Sequence, residues 1–180
     1  MIEVKRIAVF GPESTGKTEL ARKLAAHFHA PLVEEYARER WDAQGALVLE
    51  DMLPIAKEQW RREDEAATQA HAAAQSLIIC DTDALTTMLW SDLLYGTTPA
   101  ELRRGAEKRC RYYALYLLCD IDAPFTPDPQ RCFPDEEDRR RCLRIWHGAL
   151  ERRSLPYVWI RGDWDARERS AIAAVDQLLS

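Results

Sequence analysis

The sequence predicts an α/β domain built on a parallel β-sheet, and two observations support this fold class. First, apolar runs of strand length recur along the 180 residues with helical stretches between them. This is the order of elements that parallel βα units produce. Second, the first apolar run leads through a glycine-containing loop directly into a helix-like stretch. With 47% hydrophobic residues, the chain (residues 1–180) is expected to form a single domain around a sizeable core.

The strands are predicted from short apolar runs bounded by polar or turn residues. They fall at residues 6–10, 31–34, 76–80, 113–119 and 157–160. Helices are predicted for the stretches between them, which cover residues 19–29, 52–74, 99–111, 136–153 and 165–179. The buried stripe predicted along the second of these helices consists of Leu53, Ala56, Trp60, Ala67, Ala70 and Ala74.

One loop has an unusual composition, because residues 122–134 contain Pro124, Pro127, Pro129 and Pro134. Prolines at this density exclude both a helix and a regular sheet ladder. A charged run, residues 135–141, follows the loop. Two interpretations stay open: an ordered loop that opens a solvated helix, and a mobile lid at residues 122–141 that closes over bound phosphates.

The most specific motif is Gly11-Pro12-Glu13-Ser14-Thr15-Gly16-Lys17-Thr18, which fits the phosphate-binding P-loop pattern G-x-x-x-x-G-K-[ST] in full. A strand before the loop and a helix after it aim backbone N–H groups and the helix dipole at one anion site. The predicted nucleotide-binding residues are Gly11, Glu13, Ser14, Thr15, Gly16, Lys17 and Thr18. Lys17 is predicted to reach the β- and γ-phosphates as a catalytic residue, and the Thr18 hydroxyl to bind Mg²⁺. The alternative is a turn that merely contains glycine.

Acidic residues follow the third predicted strand, where ligand groups collect in open α/β sheets. Asp81 comes directly after four apolar residues, which resembles a Walker B carboxylate that holds Mg²⁺ opposite Thr18. The alternative is that Asp81 caps the next helix. For Asp83, a helix cap and a contact to a substrate hydroxyl are both open.

The second predicted strand runs out into Glu34-Glu35-Tyr36-Ala37-Arg38. Glu35 is predicted as the catalytic carboxylate near the acceptor oxygen, or else as a solvated strand-end charge. Glu34 is expected to point the other way, because side chains alternate along a strand. Arg38 is predicted to pair with Glu35 or to bind the acceptor. Tyr36 and Trp60 are candidates for stacking on an aromatic base, and core packing is the alternative for both.

Arginines near the proline-rich loop are candidates for stabilising the transferred phosphoryl group. Arg131 is one of them, and Arg139 is taken as the candidate from the run Arg139-Arg140-Arg141. Spacing alone does not choose within that run, and simple solvation is the alternative.

Composition excludes several classes of function. A net charge of −5, with acidic residues around each basic stretch, argues against coating nucleic acid or an anionic membrane. No apolar stretch is long enough to span a bilayer, and the early first strand leaves no room for a signal peptide. The five cysteines are odd in number and form no C-x-x-C pair, and Cys80 and Cys119 fit core thiols. A reduced cytosol is therefore expected, without a disulfide framework or a zinc site. A homo-oligomer stays open.

Taken together, these motifs resemble the ribosylnicotinamide kinase domain of the NAD-biosynthesis regulator NadR and related stand-alone P-loop ATPases. The resemblance covers Ile7 to Leu179. It rests on the P-loop, Glu35-Tyr36-Ala37-Arg38, Asp81-Thr82-Asp83 with Thr86-Thr87, and Asp128-Pro129-Gln130-Arg131. It implies a three-layer, nucleotide-kinase-like P-loop NTPase fold with a five-stranded parallel sheet in the order 2-3-1-4-5. It also implies that ATP and Mg²⁺ are used to phosphorylate the 5′-hydroxyl of nicotinamide riboside.

This sequence departs from the family pattern near the acceptor. Glu34 stands where the family often carries an aromatic residue that can sandwich nicotinamide, and Phe125 and Pro129 replace a tryptophan and a glycine. Two alternatives therefore accompany nicotinamide riboside kinase. One is a P-loop kinase for another nucleoside or small alcohol, and the other is a non-catalytic switch that responds to ATP or GTP.

Overall fold

A computed structural model describes residues 3–180 and confirms the predicted fold class. The strands are β1 (Lys5–Phe10), β2 (Leu32–Val33), β3 (Leu77–Asp81), β4 (Tyr113–Cys119) and β5 (Tyr157–Ile160). They form one sheet in the order β2-β3-β1-β4-β5, and every pairing in it is parallel. In the central register, Ala8 of β1 lies opposite Cys80 of β3 on one side and Tyr116 of β4 on the other.

Helices cover both faces of this sheet. They are α1 (Lys17–His27), α2 (Tyr36–Gln44), α3 (Leu49–Ala72), α4 (Ala84–Tyr95), α5 (Ala100–Arg109), α6 (Glu136–Glu151) and α7 (Trp164–Leu179), with a short 3₁₀ turn at Cys110–Tyr112. Within residues 3–180, no helix is long and apolar enough to cross a membrane.

The central strand β1 shows how the sheet divides the core. Ile7 and Val9 pack into a cluster with α1 and α7, whereas Ala8 and Phe10 pack on the opposite face with α3, α4, α5 and α6. All four side chains are fully buried. A strand that is covered on both faces reads as a continuous apolar run, which is why the strands were predictable from the sequence.

Two helices and one buried face differ from the sequence prediction. Neither α2 nor α4 was predicted: α2 is mostly polar and buries no residue, while α4 is apolar on most sides, so neither shows a helical period. The buried residues of α3 are Asp51, Met52, Ile55, Ala56, Gln59, Glu63 and Ala70. Of the predicted stripe, Ala56 and Ala70 are buried, and Leu53, Trp60 and Ala67 are partly buried against the core; the prediction was wrong for Ala74, which is exposed.

A polar network under α3 explains why this helix buries a carboxylate. Glu63 has no exposed surface. Its carboxylate accepts a hydrogen bond of 2.8 Å from the Tyr113 hydroxyl, and Arg6 and Arg109 lie 3.5 and 3.9 Å away. The Tyr113 hydroxyl in turn accepts a hydrogen bond from the backbone N–H of Ala84, the first residue of α4. The network therefore joins α3, β4 and the start of α4.

Replacing Glu63 by glutamine is expected to remove part of the pH dependence of stability. Burial raises the pKa of the Glu63 carboxyl to about 7, against opposing effects of Tyr113, Arg109 and Arg6. Between the unfolded pKa, near 4.5, and about 7, the unfolded chain loses this proton while the folded chain keeps it, so Glu63 lowers stability as pH rises. Urea unfolding of both proteins from pH 4 to pH 8 measures the effect, which reaches at most about 3 kcal/mol. Parallel pH profiles for the two proteins would contradict the assignment.

Candidate active site

The P-loop and the carboxyl ends of β2 and β3 open into one cleft of about 1210 Å³. Parallel strands place their carboxyl ends at the same edge of the sheet, so residues far apart in sequence meet there. The sequence-predicted residues that line the cleft are Glu13, Ser14, Thr15, Gly16, Lys17, Thr18, Glu35, Arg38, Asp81 and Arg131. Gly11 lies at the start of the loop, against Cys119.

The P-loop adopts a strained backbone that only its residue types permit. Gly16 has a φ of 79°, and a Cβ at this position would lie 2.4 Å from the ring of Trp164, so glycine is required on two grounds. Ser14 also has a positive φ, 58°. The buried Thr15 hydroxyl and the Lys17 ammonium both donate to the Pro12 carbonyl, at 2.9 and 2.7 Å. Lys17 lines the cleft, and its ammonium has further N–H donors beside the one that the Pro12 carbonyl accepts.

Asp81 and Thr18 fit a magnesium site. Asp81 ends β3 and is 2% exposed, and one of its carboxylate oxygens is buried without a hydrogen-bond partner. Burial raises the pKa of Asp81, whereas a hydrogen bond from Thr18 and the charges of Lys17 and Arg22 oppose that rise. Among residues 3–180 no group of three or more His, Cys, Asp or Glu side chains has the arrangement of a metal site. A cation here would complete its shell with phosphate oxygens and water, as Mg²⁺ commonly does.

Backbone strain sits directly beside Asp81. Thr82 has a φ of 113°, which is a rare conformation for a β-branched residue, and its buried hydroxyl has no hydrogen-bond partner. Strain of this kind tends to collect at functional sites, where surrounding contacts hold it. The unusual turn lets Asp81 line the cleft while Asp83 points back into the fold.

Glu35 lines the cleft beside the P-loop and is the residue directly before α2. Burial raises the pKa of its carboxyl to about 7; Asp81 adds to the rise, and Lys17 and Arg38 oppose it. A carboxyl with a pKa near the working pH is suited to accept a proton. Glu34, which was expected to point the other way, also lines the cleft, where it is exposed and pairs with Arg22 at 3.2 Å.

The proline-rich segment lies over the P-loop and is joined to it at several points. The Glu13 carboxylate accepts hydrogen bonds from the backbone N–H groups of Cys132 and Phe133, at 3.1 and 2.6 Å. The Ser14 hydroxyl accepts one from Thr126 N–H at 2.9 Å. From the other side of the cleft, Arg38 donates to the side chains of Asp128 and Gln130, at 2.9 and 3.0 Å. This segment, the cover, is therefore held against the P-loop on one side and against α2 on the other.

The two candidate arginines differ in what they contact. Arg131 lines the cleft, and its guanidinium bonds the Thr126 carbonyl and lies 5.9 Å from the Phe125 ring centre. Arg139 is only 8% exposed and donates to the carbonyls of Ser14 and Ala123, at 3.3 and 3.0 Å. Arg139 does not line the cleft in this conformation, so a direct role in catalysis requires it to leave these carbonyls.

Three predicted substrate contacts do not line the cleft. Asp83 caps α4, where it accepts hydrogen bonds from Leu85 N–H and Thr86 N–H. Trp60 packs against α5: a Cβ on Gly105 would lie 2.2 Å from its ring. Tyr36 packs at the edge of the core under the Arg62 guanidinium, 4.5 Å from the ring centre. The structure thus places Asp83 as a helix cap and the two aromatic residues in packing.

The far wall of the cleft was not foreseen. It is apolar and aromatic and consists of Leu47, Met52, Ile55, Trp90, Leu94 and Tyr95, with Thr86 and Thr87 beside them. The Trp90 ring is parallel to that of Phe133 in the cover, with centroids 6.1 Å apart. Thr86 and Thr87 were visible only as part of the family motif, and Trp90 gave no signal because α4 itself was not predicted.

A family model described as an AAA domain matches residues 6–167, which is most of the chain. The chain belongs to this AAA domain family. A search of curated proteins gave no match.

Among solved structures, this AAA domain is similar to a NadR protein in complex with NR, with 28% identity and a TM-score of 0.78. The match covers 98% of this chain and 52% of the NadR chain, so the protein spans about half the length of that relative. The predicted resemblance to NadR is thereby confirmed.

More distant neighbours of the AAA domain show the fold alone. A thymidylate kinase from Ehrlichia chaffeensis has 13% identity and a TM-score of 0.68, over 96% of this chain and 98% of its own. A deoxyadenosine kinase from M. mycoides has 9% identity and a TM-score of 0.63, over 96% and 99%. Together with the strand order, they confirm the predicted nucleotide-kinase-like fold.

Proposed function

We propose that this protein is an ATP-dependent kinase that phosphorylates the 5′-hydroxyl of nicotinamide riboside to give nicotinamide mononucleotide. The observation that carries the proposal is the meeting of Lys17, Asp81 and Glu35 in one cleft whose far wall is apolar and aromatic. Phosphate-binding groups and a carboxyl suited to accept a proton line this cleft together with apolar and aromatic side chains suited to contact a flat ring. The similarity to a NadR protein in complex with NR supports the choice of nicotinamide riboside.

Phosphoryl transfer in this site is mainly a matter of positioning and electrostatics. The acceptor 5′-oxygen forms a bond to the γ-phosphorus while the bond from that phosphorus to the β–γ bridging oxygen breaks, and ADP leaves. Glu35 takes the hydroxyl proton and later releases it to solvent. The P-loop amides and Lys17 hold the phosphates, and Arg131 stabilises charge on the transferred group.

Thr18 and Asp81 are the residues that would hold Mg²⁺. When bound, this ion would neutralise charge on the β- and γ-phosphate oxygens. The buried, unpartnered oxygen of Asp81 supports this assignment.

We extend the proposal to the organisation and setting of the chain. Residues 1–180 act as one domain, and residues 122–141 act as a lid. The lid is supported by the hydrogen bonds that this segment donates to Glu13 and Ser14 and by the one that it accepts from Arg38. A cytosolic setting suits the free thiols of all five cysteines.

A second acceptor class is favoured by one specific observation. Glu34 is exposed at the cleft rim and paired with Arg22, where the family often carries an aromatic residue. Without that aromatic residue, the contacts to the acceptor's flat ring come from the side chains of α4 that line the cleft. Another nucleoside with a flat base fits against the same side chains.

Incubating the purified protein with ATP, Mg²⁺ and a panel of nucleosides tests both acceptor classes. We expect kcat/KM for nicotinamide riboside to exceed that for each of the others by at least about tenfold. A higher kcat/KM on a different nucleoside would select the second class. Absence of any phosphorylated product from folded, ATP-binding protein would reject a kinase and favour a nucleotide-dependent switch.

A further inference from the structure

Arg167 is a buried cation that joins three separate segments beneath the P-loop. It lies in the first turn of α7 and is 2% exposed. Its guanidinium donates to the carbonyls of Thr15, Asp120 and Gly162, each at 2.9 Å, and forms an ion pair with Asp122. The P-loop, the end of β4 and the turn before α7 therefore all contact one side chain.

Asp120 and Asp122, two of the residues that Arg167 contacts, lie at the base of the proposed lid. Asp122 is its first residue, and the second oxygen of the Asp122 carboxylate accepts a hydrogen bond from Gly162 N–H at 2.6 Å. Arg139 makes a parallel connection from α6, since it bonds Ser14 of the P-loop and Ala123 of the lid base. Two consecutive P-loop carbonyls are thus tied to two consecutive residues of the lid base.

These carbonyl contacts fix the direction of the phosphate-binding amides. A peptide unit is planar and trans, so its C=O and N–H point in opposite directions. A guanidinium that holds the Thr15 carbonyl on the inner side of the loop therefore turns Gly16 N–H toward the cleft. Arg139 acts in the same way on Thr15 N–H through the Ser14 carbonyl.

Arg167 is the stronger of the two connections. Its bond to the P-loop is 2.9 Å long, whereas that of Arg139 is 3.3 Å, and the buried Arg139 Nε has no hydrogen-bond partner. Burial lowers the pKa of Arg139, against the opposing charges of Glu136 and Glu13. Arg167, in contrast, forms a direct ion pair with Asp122.

We infer that Arg167 is a positioning residue that aims the P-loop amides and couples phosphate binding to the lid base. The inference rests on the proposed use of ATP but not on the identity of the acceptor. ATP bound in the P-loop fixes the position of the Thr15–Gly16 peptide. Arg167 bonds the Thr15 carbonyl and also contacts Asp120 and Asp122, so it restricts the motion of these two residues as well. The lid is thereby held closed over the bound nucleotide.

The test measures how far ATP protects the lid from trypsin, using the bond between Arg131 and Cys132. The backbone N–H at this bond is the one held by Glu13, so cleavage reports release of the lid from the P-loop. The variants are Arg167→Met, Arg167→Lys and, as matched control, Arg169→Met, which changes an exposed arginine of the same helix. Each is assayed by mass spectrometry with and without saturating ATP, after its ATP affinity and melting temperature are measured.

We expect ATP to slow this cleavage at least about tenfold in the natural protein and in Arg169→Met, but less than about threefold in Arg167→Met. Arg167→Lys should recover part of the protection, because its ammonium still pairs with Asp122. ATP affinity should fall in Arg167→Met through misdirected amides.

Full ATP protection in a folded Arg167→Met protein would overturn the inference, as would an absence of protection in the natural protein. If Arg167→Met does not fold, the same protection assay on Asp122→Asn tests the inference. This variant is expected to fold, since Asp122 is partly exposed and Arg167 keeps its carbonyl bonds. Reduced protection in Asp122→Asn supports the coupling, and unchanged protection rejects it. Failure of every nucleoside in the acceptor panel would leave these outcomes intact, because they depend on ATP binding alone.

Discussion

Replacing Glu35 by glutamine is expected to slow phosphoryl transfer by about 10²–10⁴-fold and to leave ATP affinity nearly unchanged. Glutamine has almost the same shape but cannot take the acceptor proton. The carboxyl has a pKa raised to about 7 by burial and lies in the cleft with Lys17 and Asp81. The loss should appear in kcat, measured by ADP release at saturating ATP and acceptor, while ATP binding is followed separately by equilibrium titration.

Glu50→Gln is the control for this substitution, because it removes an exposed carboxylate from the first turn of α3, outside the cleft. Its kcat should stay within about twofold of the natural value. Unchanged transfer in Glu35→Gln would remove Glu35 from the mechanism. A parallel loss of ATP affinity would instead indicate that Glu35 maintains the shape of the P-loop.

Replacing Lys17 by methionine should lower kcat/KM by at least about 10²-fold, because the charge that faces the transferred phosphoryl group is lost. The aliphatic part of the side chain is kept. The Lys17 ammonium bonds the Pro12 carbonyl at 2.7 Å, but this carbonyl also accepts a hydrogen bond from the Thr15 hydroxyl at 2.9 Å, so it keeps a donor in the variant. Melting temperature should therefore change little, and steady-state kinetics with the preferred nucleoside measure the catalytic loss.

Lys23→Met is the matched control, since Lys23 lies on the same helix but pairs with Glu168 at the surface, 2.7 Å away. An exposed pair of this kind contributes about 0–1 kcal/mol to stability and should not affect transfer. Equal kinetic effects of the two substitutions would contradict a specific role for Lys17.

The strands and the P-loop could be predicted because their signals are local. Ile7 to Phe10 is apolar without interruption, since β1 is buried on both faces, and the loop that follows contains every residue of the P-loop pattern. β5 begins and ends at the predicted residues, 157 and 160. The residues of such a segment are enough to indicate whether it is buried.

The helices α2 and α4 could not be predicted, because α2 buries no residue and α4 is buried by neighbours distant in sequence. The apolar residues of α4 face α3, α5 and α6, so no single stripe marks the helix. For the same reason Trp90 gave no signal, and Asp83 could not be assigned between a cap and a substrate contact. Arg167 looked like any charged residue of a C-terminal helix until its contacts were visible.

The sequence by itself determined the fold class, the phosphate-binding loop and the acidic residues that follow β2 and β3. Only the tertiary structure decided which of those residues share the cleft: it brought Glu35, Lys17 and Asp81 together and placed Trp60 and Asp83 elsewhere. It also placed Arg167 under Thr15, although 152 positions separate them. The physical reason is that motifs and strands depend on neighbours along the chain, whereas a cleft depends on which segments the sheet brings to one edge.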